Sequence, residues 1–231
     1  MSLNCDVLIA GGGVVGLAVG KELLVSNPKL KVVVIEKERT LGFHASGRNS
    51  GVLHAGFYYS PDSLKAKFCR EGNRELRELC QRHSIPVINT GKIVVAKNNT
   101  ELNELEKLYL RGLQNDVKIE LLEEKQLKEY EPYARTHQRF LWSPTTGVSD
   151  PHAVIVGLSR EFVDLGGTLI HSSLLEVKDN GRITINGEAV EFRHFVNCAG
   201  TQSDRIAQKF NVGNEFTMMP FMGVYKSVLH A

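Results

Sequence analysis

No apolar run approaches the length of a membrane-spanning helix. Its 28 Lys and Arg stand against 26 Asp and Glu, a formal net charge of +2. No block of like charge occurs, so a nucleic-acid partner is not expected. There are only 4 cysteines, and Cys5, Cys69, Cys80 and Cys198 have neither Cys-x-x-Cys nor metal-ligand spacing. His137, His152 and His171 are equally scattered, and no metal is expected. Cys5 and Cys198 fall in segments that read as buried strands, where a thiol serves as a small apolar side chain. A reducing compartment suits them. Internal repeats and low-complexity tracts are missing. The first apolar run is too short for a secretory leader and reads as a strand. The expectation is therefore cytoplasmic. Peripheral contact with the inner face of a membrane stays open, although no amphipathic anchor stands out. What is present is an ordinary composition, 42% hydrophobic and 23% charged over 231 residues. That length is enough for a sizeable core and for two domains.

The informative part is the first forty or so residues. The apolar run Asp6-Val7-Leu8-Ile9-Ala10 leads into Gly11-Gly12-Gly13-Val14-Val15-Gly16. A helical pattern follows to Leu24, and then a second apolar run, Val32-Val33-Val34-Ile35, ends in Glu36. Strand, glycine turn, helix, strand and acid together form the fingerprint of a dinucleotide site. Gly11 permits the tight turn, Gly13 lets a pyrophosphate approach the backbone, and Gly16 lets the helix pack closely. Val15 belongs to the helix N-terminus, whose free N–H groups and partial positive charge face the phosphates. Glu36 is placed to accept bonds from both ribose hydroxyls and would repel a 2′-phosphate, which argues against NADP.

The rest of the chain favours FAD over NAD, because a polar loop and a later meander replace the further parallel strands of a nicotinamide domain. Gly42 to Gly56 reads as an extended loop or short strands. A helix is predicted from Ser60 as N-cap and Pro61 in the first turn, with a stripe through Leu64, Phe68, Leu76, Leu79 and Cys80 to about His83. Strands are predicted at 91–96, 117–122 and 140–142, with helices at 100–115 and 123–130. Asp150 and Pro151 open another helix, which Gly166-Gly167 end. A strand at 168–171 precedes two or three short strands between Leu174 and Phe192, turning at Asn180-Gly181 and Asn186-Gly187. A strand at 195–200 ends in small residues that let backbone pass close to a ligand. A helix at 202–210 and a strand at 221–229 complete the reading.

The segment from Gly42 through His44-Ala45-Ser46-Gly47-Arg48-Asn49-Ser50-Gly51 and His54-Ala55-Gly56-Phe57-Tyr58-Tyr59, with Ser63 to Cys69 after it, resembles the L-2-hydroxyglutarate oxidase/dehydrogenase family. That family lies in the FAD-dependent, D-amino-acid oxidase-like superfamily. The segments from Gly91, Asn197 and Pro220 resemble it too, so the likeness spans essentially the whole chain. It implies an α/β (α+β two-domain) fold, a Rossmann-like FAD-binding domain with an inserted, incomplete mixed-sheet substrate domain. The implied boundaries are 1–86 for the first part of the FAD domain and 87–143 for the first part of the substrate domain. Residues 144–212 are then the FAD-domain return, and 213–231 begin a remaining substrate portion that looks truncated.

The implied activity is oxidation of L-2-hydroxyglutarate, a 2-hydroxy dicarboxylate, to 2-oxoglutarate, with hydride passing to flavin N5 and electrons on to oxygen or a quinone-linked acceptor. Other oxidases of the superfamily, acting on amino acids, amines or glycerol 3-phosphate, and a truncated FAD-binding module without turnover are the alternatives. By resemblance Ser46, Arg48, Asn49, Ser50 and Gly51 pass beside the cofactor. Lys37 meets the adenosine by its backbone, Leu175 meets the adenine, and Ala199 and Gly200 lie near the pyrophosphate. His44 resembles the histidine that carries covalent flavin in some dimethylglycine and sarcosine dehydrogenases; noncovalent FAD is the default. His54 is either the acid/base, which an imidazole with a pKa near 6.5 suits, or a histidine bonded to backbone or flavin. Tyr58 and Tyr59 are candidates to line the substrate pocket, or one core and one surface aromatic. Arg48 is a candidate cation for a substrate carboxylate, with the main Arg or Lys clamp expected in the missing part.

Overall fold

A computed structural model describes residues 3–178 and 181–224. The chain order begins β1 (Leu3–Ala10), α1 (Val14–Ser26), β2 (Val32–Ile35), β3 (Val52–Leu53), α2 (Leu64–Arg82), β4 (Val87–Ile88), β5 (Lys92–Val95) and α3 (Asn99–Gln114). It continues with β6 (Glu120–Glu123), α4 (Leu127–Tyr130), β7 (Arg139–Ser143), β8 (Gly147–Ser149), α5 (Pro151–Asp164) and β9 (Thr168–Ile170). It ends with β10 (Leu175–Val177), β11 (Ile183–Ile185), β12 (Glu188–Asn197) and α6 (Ser203–Gln208). Packing divides the chain into two compact units, 1–49 with 151–231 and 50–150. The second unit thus takes in α2, which the motif-based boundary at 86/87 left with the nucleotide part.

The first unit is built on a 6-stranded sheet in the order β10-β11-β12-β1-β2-β9. β12, β1, β2 and β9 run parallel, whereas β10, β11 and β12 form an antiparallel meander. The continuous apolar runs of β1 and β2 are what a strand buried on both faces requires. Leu8, Val33 and Ile35 pack with Cys5 and Ile183, and Leu175, Val177 and Ile185 of the meander close over them. On the opposite face α1 meets α5, where a Cβ at Gly20 would stand 2.8 Å from the Phe162 ring. The Asn186-Gly187 turn has φ of 51° and 86°, the left-handed pair that a two-residue hairpin turn demands. The turn proposed at Asn180-Gly181 lies partly outside the described residues.

The second unit contains two 3-stranded sheets, β3-β8-β4 and β5-β7-β6, and every pairing in them is antiparallel. β7 is central to its sheet and buries Phe140 and Leu141. Ala55, Phe57, Ala96, Leu102, Leu105, Val117, Ile119 and Leu141 form one core. α3 starts where Asn98 accepts the Glu101 N–H at 3.0 Å, a standard N-terminal cap.

Four expectations need correcting. The cap of α2 is Ser63, whose Oγ accepts the Ala66 N–H at 3.2 Å. Ser60, Pro61 and Asp62 are used up in the preceding turn, closed by Ser63 N–H to the Ser60 carbonyl at 2.9 Å. The stripe on α2 is not buried throughout, because Leu64 and Phe68 are exposed while Ala66, Leu79 and Cys80 are buried. The strand predicted at 117–122 begins at Glu120, since Val117 and Ile119 turn into the core instead. Residues 221–224 carry no strand, and the remainder of the strand expected to 229 falls outside the described residues.

Candidate active site

In the first unit the site grows from the ends of three parallel strands. Gly11 leaves β1 with φ +106°, a backbone conformation that favours glycine. Its N–H donates to the Ile35 carbonyl at 2.8 Å, and a Cβ on it would sit 2.3 Å from the Cys198 carbonyl oxygen and 3.2 Å from Ala199 Cα. The glycine turn is thus threaded between the ends of β2 and β12, which places Ala199 beside it. Gly200 follows at the start of a short 3₁₀ turn. A Cβ on Gly16 would lie 2.0 Å from the Gly11 carbonyl oxygen, so the first turn of α1 packs directly on the glycine turn.

Helix geometry leaves the first-turn N–H groups without partners inside α1; the first internal bond runs from Leu17 N–H to the Gly13 carbonyl. Val14 N–H is taken by Ser46 Oγ at 3.1 Å. The next donors, at Val15 and Gly16, remain, and Val15 is exposed. A Cβ on Gly13 would meet only Ser46, at 2.9 Å from Oγ. A diphosphate therefore has donors to bind and an open approach to them. At the end of β2, Glu36 is 9% exposed. One carboxylate oxygen accepts Gly12 N–H and the other accepts Glu38 N–H, each at 2.9 Å. Each oxygen keeps a further lone pair with which to receive a ribose hydroxyl. The donors, the open glycine face and the fixed carboxylate together fit an adenine dinucleotide.

Around this cradle, Ser172 N–H and Ser173 N–H donate to the carbonyls of Glu38 and Glu36, each at 3.1 Å. These bonds carry the chain past the end of β2 just before Leu175 opens β10. Glu38 accepts Lys37 Nζ at 2.6 Å and His44 Nε2 at 2.8 Å. Lys37 first and His44 second hold the Glu38 carboxyl below its usual range. Lys37 thus has a carboxylate partner, and the His44 imidazole is bound to the same carboxylate. Arg48 lies over the Phe43 ring at 4.4 Å. Asn49 Nδ2 donates to the Ala45 and Ser46 carbonyls at 3.1 and 2.8 Å, so this loop is held by its own backbone.

In the second unit Gly51, at φ +65°, accepts Ser149 N–H at 3.0 Å, while Ser50 before it is exposed. β3 ends at Leu53, and His54 follows with an exposed residue surface. Asn73 Nδ2 donates to the carbonyls of Leu53 and His54, both at 3.0 Å. Asn73 is itself oriented by Arg77 Nε at 2.9 Å, and Arg77 reaches Asn89 Oδ1 and the Thr145 carbonyl, each at 2.7 Å. Asn115 Nδ2 donates to the Gly56 and Tyr59 carbonyls at 3.2 and 2.9 Å. Arg111 Nη1 donates to the Tyr58 carbonyl at 2.9 Å.

Tyr58 packs on Phe57 and on the core of this unit, while Tyr59 is 36% exposed. Lys92 Nζ stands 4.8 Å from the centre of the Tyr58 ring. Partial desolvation of its ring first, and the Lys92 charge second, lower the His54 pKa from 6.5 although the residue keeps an exposed surface. A histidine so shifted is neutral at pH 7 and able to accept a proton. Sequence reasoning missed Asn73, Arg77, Arg111, Asn115 and Lys92. Of these only Lys92, a charge at the head of the apolar run Ile93-Val94-Val95-Ala96, left a local trace.

A family model described as FAD dependent oxidoreductase (DAO) matches residues 6–230. The protein belongs to that family. The chain is 39% identical over 230 residues to L-2-hydroxyglutarate dehydrogenase, mitochondrial, of Caenorhabditis elegans, covering 95% of this chain and 53% of that protein. The human protein of the same name is 35% identical over 237 residues, with 95% and 51% covered. The chain thus spans about half the length of the curated relatives it matches.

Among solved structures, L-proline dehydrogenase from P. horikoshii superposes with a TM-score of 0.81 at 17% identity, over 92% of this chain and 57% of that one. L-alpha-glycerophosphate oxidase from Mycoplasma pneumoniae, solved with FAD bound, gives 0.73 at 26% identity, over 89% and 56%. The fold is that of the D-amino-acid oxidase-like FAD oxidoreductases.

Proposed function

We propose that this chain forms the FAD-binding part and a portion of the substrate region of an enzyme that oxidises L-2-hydroxyglutarate to 2-oxoglutarate. The observation that carries the reading is the 39% identity to a protein of that name across 95% of this chain. Gly11, Gly13, Val15, Gly16, Glu36, Ala199 and Gly200 would hold the dinucleotide end of FAD, noncovalently. His44 to Asn49, with Lys37 and Leu175, would complete its surroundings.

Oxidising a secondary alcohol to a ketone removes the C2 hydrogen with its electron pair and the hydroxyl proton. The bound flavin supplies, at N5, the acceptor for the hydride. His54 takes the hydroxyl proton at a ring nitrogen, and its lowered pKa keeps that nitrogen unprotonated at neutral pH. The Asn73 bonds fix the backbone from which the imidazole projects. Tyr58 and Tyr59 line the place where the dicarboxylate lies.

The test is anaerobic absorption spectroscopy of the protein expressed from its complete reading frame. The expected outcome is a yellow protein that bleaches with L-2-hydroxyglutarate. Its kcat/KM should rise with pH through a limb centred below 6.5, as His54 loses its proton. Bleaching by glycerol 3-phosphate or an amino acid, with none by L-2-hydroxyglutarate, would transfer the protein to another activity of the family. A flavin-loaded protein that no such substrate bleaches would make it a binding module.

A further inference from the structure

Lys92 is the first residue of β5 and pairs in register with Ser143 of β7. Its side chain is half-buried, and its ammonium is held over the Tyr58 ring at 4.8 Å. No Asp or Glu among the described residues forms an ion pair with it. An ammonium resting on an aromatic face keeps its capacity to pair with a carboxylate. Its neighbour Tyr58 is in turn fixed, by Arg111 at its carbonyl and by core packing on its ring. The cation is therefore presented by a strand and an anchored ring rather than by a free side chain. The Lys92 charge also acts on His54, which puts it in the same neighbourhood as the proposed base.

We propose that Lys92 receives a carboxylate of the 2-hydroxy dicarboxylate substrate, with the Tyr58 ring setting the position of its ammonium. The inference rests on the reading of function above and adds to it a specific cation other than Arg48. A compact ammonium is a fitting partner for one carboxylate group. Bound this way, the substrate replaces an unpaired charge by a paired one.

The test compares the flavin-loaded wild type with Lys92→Met and Lys92→Arg. Calorimetry measures 2-oxoglutarate binding, and steady-state kinetics follow L-2-hydroxyglutarate. Lys92→Met is expected to weaken 2-oxoglutarate binding and raise KM by about 30-fold, the scale of one lost charge-assisted bond, with kcat changed far less. Lys92→Arg should recover most of both. Flavin content and melting temperature close to wild type would show that Lys92→Met is folded. If Lys92→Met does not hold flavin, Lys92→Gln takes its place, and a flavin-loaded Lys92→Gln that binds 2-oxoglutarate as the wild type does overturns the inference. Unchanged binding and KM in a flavin-loaded Lys92→Met would overturn the inference while leaving the activity assignment standing. A wild type that fails to bleach with L-2-hydroxyglutarate would instead remove the assignment itself.

Discussion

The nucleotide cradle and the His54–Tyr59 segment solve the same problem, holding irregular backbone still, by opposite means. The cradle is made almost wholly of main chain. Gly11, Gly16 and the Cys198 carbonyl fit together because side chains are missing, with Cβ positions only 2.0–2.3 Å from carbonyl oxygens. The His54–Tyr59 segment is held from outside. Asn73, Arg111 and Asn115 reach it from α2, α3 and the end of α3, across 19 to 59 positions of sequence. A glycine turn packed against backbone tolerates almost no added atom. A side-chain-held segment can lose one support and shift by degrees.

That contrast can be broken at measurable points. The largest effect is expected at Gly16→Ala, where the new methyl meets a backbone oxygen at 2.0 Å and neither partner can rotate away. A loss of about 3 kcal/mol or more, in the range for severe overpacking, should appear in the urea midpoint together with loss of bound flavin. A Gly16→Ala protein with wild-type stability and flavin would show that the cradle is looser than its geometry.

Next comes Asn115→Ala. It removes two bonds to buried or half-buried carbonyls, at Gly56 and Tyr59, and should cost about 2 kcal/mol in thermal melting while flavin content stays nearly normal. The Asn115 Oδ1 atom has no partner of its own, which keeps the loss below that of a fully bonded amide. Smallest is Ser46→Ala. Its hydroxyl caps α1 from a separate loop, and losing such a cap costs about 1 kcal/mol. Denaturant titration should show that modest loss, with flavin affinity falling less than in Gly16→Ala.

The same division governs what could be read from the sequence. The opening strand, glycine turn, helix and acid were legible because each is a local chemical necessity, and so were the start of α5 at Pro151 and the hairpin turn at Asn186-Gly187. Ser60-Pro61 fits the pattern of a helix start, and the turn bond from Ser63 to Ser60 is what moves the cap to Ser63. β4 and β8 are too short to impose a periodic pattern. Leu64 and Phe68 follow helical spacing yet lie uncovered, because spacing reveals alignment along a helix and not what faces it. The supports of His54 and Tyr58 left no sequence signal, since Asn73, Arg111 and Asn115 act over long separations through single side-chain bonds. Lys92 was visible as a charge and invisible as a neighbour of Tyr58.

β12 has a further consequence. Its early residues pair antiparallel with β11, at Ala189 and Glu188, and its later ones parallel with β1, as far as Asn197 beside Ala10. One continuous rod therefore couples a surface hairpin to the mouth of the nucleotide cleft. Sliding that rod by a single residue would carry the Cys198 oxygen by roughly 3.3 Å, into or away from the space beside Gly11. Mutations in the remote hairpin can therefore surface as a colourless protein, so a screen for lost flavin would return hits there as well as in the glycine turn itself.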